Sequence, residues 1–375
     1  MKDKRAIEFY GSAYEMGLAQ GKNLKENILS GWETIYNYKP ILNVKPKFIP
    51  MGAFLFGAGI WARNFLASTF DNFLDFKERF TGIADGSGLS FNKLALIHYI
   101  EVAGADSARQ IMGCSSLVVL PPRSEEPMLA KNFDFLNDFK NFNILRKSFT
   151  RWGLSSIEFT MTPLAGSHTG FNEAGLSITY NYGYSNEPPQ KSTLLTARVQ
   201  EILQTSETVK DAINILRKKP NPSNGIISVV DKNGDAAAVE LSPFGTGIVE
   251  PKDFVIANAN LYQNPQMKKR LIPFDAVYGD KAPEKIRGKN IQETNIIRTD
   301  RLYELLDRYE KIDIDIMKKI LADHGSENIP NENTICRHHE NFSTHISAIM
   351  LPKSKKMLFH WGHPCEAKSW DEIQL

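Results

Sequence analysis

Gly113-Cys114-Ser115-Ser116-Leu117-Val118-Val119 carries the strongest structural signal in this chain. Its apolar run continues to Leu120 and is typical of a buried strand, and a second such run follows at Met128–Phe133 across a proline-containing turn. The two runs predict a pair of neighbouring strands. Cys114 begins the first strand and Asp134 follows the second, so a hairpin would return Asp134 to Cys114.

A cysteine that follows a small residue at the edge of a sheet is suited to self-cleavage. If the peptide bond between Gly113 and Cys114 were cut, the Cys114 thiol would become the nucleophile and its new α-amine the general base. Gly113 would tolerate the strained backbone that transfer of the acyl group from nitrogen to sulfur requires. The Asp134 carboxylate could orient the α-amine. The alternatives are a buried structural cysteine and a turn-forming aspartate.

The chain upstream of Gly113 has the residue spacing of helices. Helices are predicted over Ser12–Ile28, Phe65–Phe80 and Ser90–Val102, because apolar residues recur there at helical intervals. The glycines of Gly82–Gly88 are expected to end the second of these helices. Residues 1–113 are therefore predicted to be a mostly helical segment.

Downstream of Gly113 the pattern changes to short apolar runs bounded by proline, glycine or asparagine, which indicates strands. The further strand candidates are Ser156–Met161, Gly175–Asn181, Ile226–Asp231, Ala236–Leu241, Phe254–Ala257, Ile346–Leu351 and Lys356–Trp361. Helices are predicted near Leu194–Leu203, Val209–Lys218, Arg298–Leu306 and Ile314–Leu321. This order favours antiparallel sheets covered by helices, and the lack of alternating βαβ units argues against a parallel doubly wound sheet.

Composition and charge exclude several classes of protein. The 375 residues include 45 Lys and Arg against 43 Asp and Glu, a net charge of +2, so the chain lacks the basic excess of a nucleic-acid-binding protein. The most apolar run, Met51–Trp61, has 11 residues, fewer than the ~20 that a membrane-spanning helix needs. The first five residues lack the apolar part of a signal peptide, which favours the cytoplasm. A secreted or periplasmic chain whose signal peptide had been removed would look the same.

Cysteine and histidine are concentrated near the end of the chain. A reduced state is the simpler interpretation of three cysteines, although Cys336 and Cys365 could pair if Cys114 is the nucleophile. Five of the eight histidines also lie in this region: His338, His339, His345, His360 and His363. Their spacings match no zinc template, and adjacent histidines on a strand point to opposite faces. Hydrogen-bonding histidines at a sheet end are expected instead, so no metal and no other cofactor is predicted.

Three motifs carry a resemblance to a known family. They are Gly113–Val119, Lys131–Phe135 and Gly170–Ile178, and together they look like the N-terminal-nucleophile amidohydrolases. Within that group the chain is most similar to the self-processing branch typified by acyl-coenzyme A:isopenicillin N acyltransferase. Bile salt hydrolases, penicillin V acylases and acid ceramidases are relatives of this branch. Ile83–Ser90 resembles its propeptide, and two C-terminal motifs, Cys336–His338 and Trp361–Cys365, resemble its end.

The resemblance covers nearly the whole chain and implies an α+β fold. The expected architecture is a four-layer α-β-β-α sandwich with a helical N-terminal pro-segment. Residues 1–113 would form that pro-segment, or an α-subunit after cleavage, packed on the catalytic domain. Residues 114–375 would form the catalytic domain, or β-subunit.

The resemblance also assigns roles to residues near the nucleophile. Cys114 matches the nucleophile, and Asp134 matches the carboxylate that contacts the cysteine amine. Lys131 stands where bile salt hydrolases have arginine. Lysine keeps the positive charge but lacks the guanidinium that can donate two parallel hydrogen bonds. Lys131 is expected to contact the substrate. Asn181 resembles an asparagine that lines the site.

Two further roles have competing candidates. Asn258 matches the asparagine of the oxyanion hole, but Ala257 replaces the threonine that usually precedes it. Asn260 is the competing candidate for the oxyanion hole, or else a residue that binds substrate. Arg298 matches an arginine that supports the nucleophile's surroundings, with Arg301 as the second choice.

The resemblance implies an enzyme that acts on a linear amide of an N-acylated small molecule, or on an acyl thioester. An acyl group on Cys114 would pass to water or to an amine, and the sequence does not fix which. One rival is an acyl-coenzyme A-dependent N-acyltransferase. The other is an unprocessed, non-catalytic binding protein of the same fold. No nucleic-acid partner and no transmembrane segment are expected, and a homo-oligomer is compatible with the sequence.

Overall fold

The helices and strands of the computed structural model lie in the residues that it describes, 5–38, 45–107, 113–218, 220–280 and 287–375. The helices there are α1 (Ala13–Asn23), α2 (Lys25–Tyr36), α3 (Met51–Asn72), α4 (Leu74–Ser87), α5 (Phe91–Ser107), α6 (Leu195–Thr205), α7 (Val209–Leu216), α8 (Pro265–Lys268), α9 (Glu293–Asp307) and α10 (Ile314–Leu321). The strands are β1 (Ala6–Gly11), β2 (Gly113–Val119), β3 (Met128–Leu136), β4 (Asn143–Thr150), β5 (Ser156–Met161), β6 (Thr169–Asn172), β7 (Leu176–Tyr182), β8 (Gly225–Asp231), β9 (Ala236–Ser242), β10 (Gly245–Val249), β11 (Val255–Asn258), β12 (Phe342–Leu351), β13 (Lys356–Trp361) and β14 (Asp371–Gln374). Short 3₁₀ helices cover Asn137–Phe142 and Pro364–Glu366.

The strand that contains Cys114 lies inside an antiparallel sheet of six strands, in the order β11-β2-β3-β12-β13-β14. Strand β2 pairs with β3 and β11, which confirms the predicted hairpin. Side chains on a strand alternate between the two faces of its sheet. Cys114 and Val118 accordingly face one hydrophobic core, while Leu117 and Val119 face another.

The second sheet has eight strands, in the order β1-β4-β5-β6-β7-β8-β9-β10. Its neighbouring strands are antiparallel except for β1, which pairs parallel to β4. Strand β1 was not predicted from the sequence, because only Phe9 of its six residues is fully buried and the alternation is weak. The ring of Tyr10 nevertheless stacks on Phe149 of β4 at 4.7 Å. The N-terminal segment therefore contributes a strand as well as helices.

The two sheets pack face to face through β2 and β3 of one and β7 and β8 of the other. Helices α6 and α7 cover the outer face of the eight-stranded sheet, and α9 and α10 cover the outer face of the six-stranded sheet. The layers therefore follow the order α-β-β-α, which confirms the predicted fold class. None of the helices in the described part of the chain is both long and apolar enough to cross a membrane.

Helix α4 continues through glycines that were expected to end it. A Cβ atom at Gly82 would lie 2.3 Å from the carbonyl oxygen of Tyr14, and one at Gly86 would lie 2.4 Å from that of Leu18. These glycines let α4 lie directly against the backbone of α1. The helix ends at Gly88, the last of these glycines, which has a φ of 74°, while Gly82 and Gly86 lie inside it and serve close packing. The prediction of one helix over Phe65–Phe80 was wrong, since the helix is interrupted at Phe73 between α3 and α4.

Buried polar groups join the N-terminal segment to the rest of the chain. Arg146 forms an ion pair with Glu158 at 2.5 Å inside the protein. The same guanidinium donates to the side-chain oxygen of Gln20 on α1 at 3.0 Å. Arg79 on α4 donates to the hydroxyl of Ser148 at 3.1 Å. Breaking these contacts would leave buried polar groups unpaired, which is costly.

Helix α5 of the N-terminal segment caps the start of α6. The carboxylate of Glu101 accepts the backbone N–H of Leu195 at 2.7 Å, and it also accepts from the backbone and hydroxyl of Thr196. Burial raises the pKa of Glu101 to about 7, although the hydrogen bonds from α6 oppose this shift. This contact is therefore sensitive to pH in the neutral range.

Candidate active site

Cys114 lies on the inner face of β2, between the two sheets, and is buried. Its neighbour across the strand pair is Phe133 of β3. Burial raises the pKa of the Cys114 thiol above its ordinary value, and the ammonium of Lys131 opposes that shift. The thiol therefore lies in a low-dielectric site with one cation beside it.

Gly113 is packed against two guanidinium groups. A Cβ atom at this position would lie 2.1 Å from Nη1 of Arg337 and 3.3 Å from Nη2 of Arg298. The sequence suggested that glycine serves backbone freedom here. Gly113 instead lies within a regular strand, so the close approach of Arg337 is what requires a residue without a side chain. The chain immediately before it, residues 108–112, lies outside the described residues.

Asp134 is opposite Gly113 in the strand register, as the hairpin predicted. Its Oδ1 atom accepts the hydroxyl hydrogen of Thr344 at 2.8 Å. Its Oδ2 atom is buried, has no hydrogen-bond partner among the described residues, and lies 3.8 Å from guanidinium nitrogens of both Arg298 and Arg337. Burial raises the pKa of Asp134, and the two guanidiniums oppose that shift.

Asn260 contacts the backbone of Cys114 directly. Its Oδ1 atom accepts the N–H of Cys114 at 2.9 Å, and its Nδ2 atom donates to the carbonyl oxygen of Tyr182 at 2.8 Å. Asn258 supports this geometry, since its side-chain oxygen accepts the N–H of Asn260 at 2.8 Å while its Nδ2 donates to Leu261. Of the two asparagines, only Asn260 bonds to Cys114 among the hydrogen bonds described.

Arg298 of α9 bridges the two sides of this site. It donates to the carbonyl oxygen of Cys114 at 3.1 Å and to the side-chain oxygen of Asn260 at 3.1 Å. Burial lowers the pKa of Arg298 to about 10. Arg301, the second choice from the sequence, instead pairs with Asp323 and Glu304. The structure thus brings Arg298 to Cys114 and leaves Arg301 in a separate ion-pair group.

Two further predicted residues lie around the inner face of β2. The Nδ2 atom of Asn181 on β7 donates to the hydroxyl of Ser116 at 2.9 Å, and its side-chain oxygen is buried without a partner in the described part of the chain. Lys131 of β3 is buried, donates to the carbonyl oxygen of Tyr180 and interacts with the Cys114 thiol. Both residues therefore lie where one sheet faces the other beside Cys114.

Arg337 and Thr344 are site residues whose roles the sequence did not reveal. Arg337 is buried, stacks over the ring of Phe342 at 4.4 Å, and accompanies Thr344 around Asp134. The one signal for Arg337 was its place in the Cys336–His338 motif, where the resemblance gave it no role. Thr344 carries no local signal, because a threonine in a strand is an ordinary residue.

An apolar cavity lies between the N-terminal helices and residues that contact Phe133. Phe133, which faces Cys114 across the strand pair, contacts two of the residues that line it, Phe135 and His168. Helices α2 and α5 of the N-terminal segment supply another part of the wall, including Ile35 and Ile97. The open volume is ≈ 50 Å³, a few times the ~10–15 Å³ that a single water needs. The N-terminal segment therefore forms one wall of this cavity.

A separate group of possible metal ligands lies beyond Arg337. One ligand atom from each of four residues, His324, Cys336, His338 and Cys365, lies within 4.8 Å of the other three. The sequence predicted no metal here, because the spacings between these residues match no standard template. The four residues come together only through the fold.

Comparison with known proteins identifies the chain's relatives. The sequence model of the family described as acyl-coenzyme A:6-aminopenicillanic acid acyl-transferase matches residues 122–366. The protein dcd1A of Dictyostelium discoideum is 24% identical over 227 residues, which cover 56% of this chain and 51% of that protein. The chain thus spans about half the length of the curated relative that it matches.

Two of the solved structures that resemble this chain each match a part of it. An ortholog of N-acylethanolamine-hydrolyzing acid amidase from Caenorhabditis elegans is 16% identical with a TM-score of 0.43, covering 64% of this chain and 93% of its own. A variant of conjugated bile acid hydrolase from Clostridium perfringens is 14% identical with a TM-score of 0.44, covering 70% of this chain and 92% of its own. Each is similar to this chain in part.

Proposed function

Because the chain belongs to the acyl-coenzyme A:6-aminopenicillanic acid acyl-transferase family, we propose that Cys114 is the nucleophile of a self-processing amide hydrolase or acyltransferase. Membership makes the chain an enzyme of the N-terminal-nucleophile class, and the nucleophile, the self-cleavage and the substrate are the proposal. One observation carries it. The N–H of Cys114 is bound by Asn260 and its carbonyl by Arg298, so both peptide groups beside the thiol are held in fixed positions.

In the processing step, the Cys114 thiol loses its proton and its sulfur attacks the carbonyl carbon of Gly113. The C–N bond between Gly113 and Cys114 breaks, the nitrogen takes up a proton, and a thioester joins Gly113 to the Cys114 sulfur. Water then hydrolyses the thioester, leaving a carboxylate on Gly113 and a free thiol on Cys114. The products would be residues 1–113 and 114–375.

Asp134 is suited to hold the amine that this cleavage creates. It pairs with Gly113 in the strand register, and its buried Oδ2 atom lacks a hydrogen-bond partner in the described residues. A buried carboxylate oxygen of this kind favours a new N–H donor, and most strongly a protonated amine. The amine of Cys114 is the donor that cleavage would supply.

In turnover, the α-amine takes the thiol proton and the sulfur attacks the carbonyl carbon of the substrate. A side-chain amide from Asn258 or Asn260 would stabilise the oxyanion, with a contribution of about 3 kcal/mol. The leaving group takes the proton, and water or an amine then releases the acyl group from Cys114. In the uncut chain each amide Nδ2 atom donates one hydrogen to a backbone carbonyl, which leaves its second hydrogen for the oxyanion.

The apolar cavity beside Phe133 supports an apolar acyl group as the part of the substrate that enters the site. Its wall is mainly aromatic and aliphatic, with Ile97, Phe135 and Phe142 among the lining residues. Helices α2 and α5 would have to shift to admit a long acyl chain, because the open volume is ≈ 50 Å³. Processing is the event that could loosen them, because it cuts the chain shortly after α5.

Intact-mass measurement and N-terminal sequencing of the purified chain test the proposal. We expect two fragments, the second beginning at Cys114, and a single uncut chain for Cys114→Ala. Cys114→Ser is the matched control, since it keeps a weaker nucleophile in the same place and should process slowly. A wild-type chain that stays uncut, together with a Cys114→Ala variant that keeps full activity on N-acyl amides, would exclude the proposal.

Acyl transfer from acyl-coenzyme A is the second candidate, because the description of the matching family names that donor. The two activities differ in what removes the acyl group from Cys114. Release of free coenzyme A that depends on an added amine would establish the transferase. Release of a free acid from an N-acyl amide without an added amine would establish the hydrolase.

A further inference from the structure

A group of thiols and imidazoles lies outside the proposed catalytic machinery. We call His324, Cys336, His338 and Cys365 the thiol–imidazole cluster. His324 follows α10, Cys336 and His338 precede β12, and Cys365 lies in the 3₁₀ helix Pro364–Glu366. We propose that this cluster binds one zinc ion and thereby ties these three segments together.

The spacing of the four side chains fits a tetrahedral ion. The two sulfur atoms are 3.6 Å apart, and Nε2 of His338 lies 3.3 Å from the sulfur of Cys336 and 3.4 Å from that of Cys365. Zinc bonds of ordinary length would place two sulfur ligands about 3.8 Å apart and a sulfur about 3.6 Å from a nitrogen. Small movements of these side chains away from one another would therefore give the distances of a zinc site.

The donor set selects the metal. Two thiolates with two imidazoles form a common structural zinc site, and hard ions such as magnesium or calcium prefer oxygen ligands. Nε2 of His324 is buried and has no hydrogen-bond partner within the described residues. A bound ion would satisfy that nitrogen. Cys336 is fully buried while Cys365 is exposed, which leaves a route by which the ion can enter.

A second layer of contacts holds His338 in place. The ring of His363 stacks on that of His338 at 3.7 Å, and its Nδ1 atom lies 3.3 Å from the carboxylate of Glu366. Residues around a metal site that orient its ligands often strengthen metal binding. The neighbouring His339 instead stacks on Phe342 at 4.4 Å, so adjacent histidines face different surroundings.

A disulfide between Cys336 and Cys365 is the rival account of the cluster. It would join the same segments, but it gives no role to His324 or His338. It also requires the sulfurs to approach to about 2.05 Å, whereas they are 3.6 Å apart. The presence of two imidazoles in the same group therefore favours zinc.

Elemental analysis of the full-length chain tests the proposal directly. Protein made with added zinc and purified with reductant, without chelator, should contain about one zinc per chain. Cys365→Ser combined with His324→Ala should reduce this to less than about a tenth. His339→Ala is the matched control and should keep the full amount. Wild-type protein with less than about a tenth of a zinc per chain after incubation with zinc and reductant would overturn the proposal.

A measurement on the wild-type chain keeps the test independent of whether those variants fold. Replacement of zinc by cobalt should give the visible absorption of a tetrahedral thiolate site, and stripping the metal should lower Tm by about 5 °C or more. Cys336 and Cys365 should be protected from alkylation only while the metal is bound. Protein that lacks metal and has an intact mass lower by two hydrogen atoms would establish the disulfide and exclude the zinc site.

Discussion

The side-chain oxygen of Asn260 accepts the backbone N–H of Cys114 at 2.9 Å, and Asn260 adopts a left-handed backbone with a φ of 70° to do so. Such a backbone is unfavourable for residues with a side chain, although asparagine tolerates it better than most. The contact joins the start of β2 to the segment after β11, at the peptide bond that we propose is cleaved. It therefore connects Asn260 directly to the proposed processing step.

Removal of the Asn260 amide should slow processing. We expect Asn260→Gly to lower the rate of cleavage by about a hundredfold, because the N–H of Cys114 and the guanidinium of Arg298 both lose an acceptor. Glycine keeps the left-handed backbone, so the fold should survive. Asn260→Asp, which keeps the oxygen acceptor, is the matched control. Cleavage of Asn260→Gly at the wild-type rate, followed by mass, would contradict this assignment.

A methyl group at Gly113 should displace Arg337 and slow cleavage. The added Cβ of Gly113→Ala would lie 2.1 Å from Nη1 of Arg337, and the guanidinium would move away from Asp134. We expect a rate about tenfold lower, equivalent to about 1.4 kcal/mol in the barrier. Since Arg337→Ala removes the clash, adding Gly113→Ala to it should slow cleavage no further. Additive losses in the double variant would argue against this mechanism.

Loss of the Lys131 charge should move thiol chemistry to higher pH. The ammonium holds the pKa of Cys114 below the value that burial alone would impose, so Lys131→Met should raise that pKa. The alkaline-rising limb of kcat/KM against pH should shift upward for the processed enzyme. Lys131→Arg keeps the charge and should shift less. Identical pH profiles for wild type and Lys131→Met would show that the ammonium does not act on the thiol.

Glu101 should make stability depend on pH. Its pKa is about 7 in the folded chain, above the ordinary value of 4.5, so the stability it contributes is complete below pH 4.5 and is lost as pH rises through 7. Relative to wild type, Glu101→Gln should therefore become more stable as the pH rises from 5 to 8. The gain in the free energy of unfolding should be roughly 3 kcal/mol at most, and Tm measured at each pH follows it. Glu207→Gln removes an exposed carboxyl group and is the matched control. A constant difference across this range would refute the prediction.

Substitution by alanine should have opposite effects on stability at two helical glycines that the sequence does not distinguish. Gly82→Ala puts a methyl group against the backbone of α1 and should destabilise the chain by about 2–3 kcal/mol. Gly57→Ala adds its methyl group in open space on α3 and should stabilise by up to about 1 kcal/mol. Thermal unfolding of the two variants measures the difference. Equal effects would mean that the contact between α1 and α4 is looser than described.

The sequence predicted the elements with strong local signals. The apolar runs of β2 and β5 and the amphipathic helix α10 were found, because burial on one or both sides leaves a clear pattern. Strand β4 was missed because it contains Arg146 and Lys147, and charged residues ordinarily argue against a buried strand. Arg146 is buried only because the fold supplies Glu158, which no local pattern reveals.

The sequence predicted most of the residues of the candidate site, but it did not decide between the two asparagines or find Arg337. Cys114, Asp134 and Arg298 were named, and the fold brings them together. Local spacing could not decide between Asn258 and Asn260, since their separation of two residues fits either role in a turn. Arg337 could not be found because its contact with Asp134 depends on how β12 pairs with β3.

Strand β1 has a consequence for how the protein must be produced. Because residues 6–11 cover the edge of β4, residues 114–375 made alone would present that edge and the face of Phe149 to solvent. An open strand edge of this kind pairs readily with other copies and leads to aggregation. The N-terminal segment would then be needed as a template during folding, and the two pieces, mixed after separate synthesis, would not be expected to reconstitute the native protein.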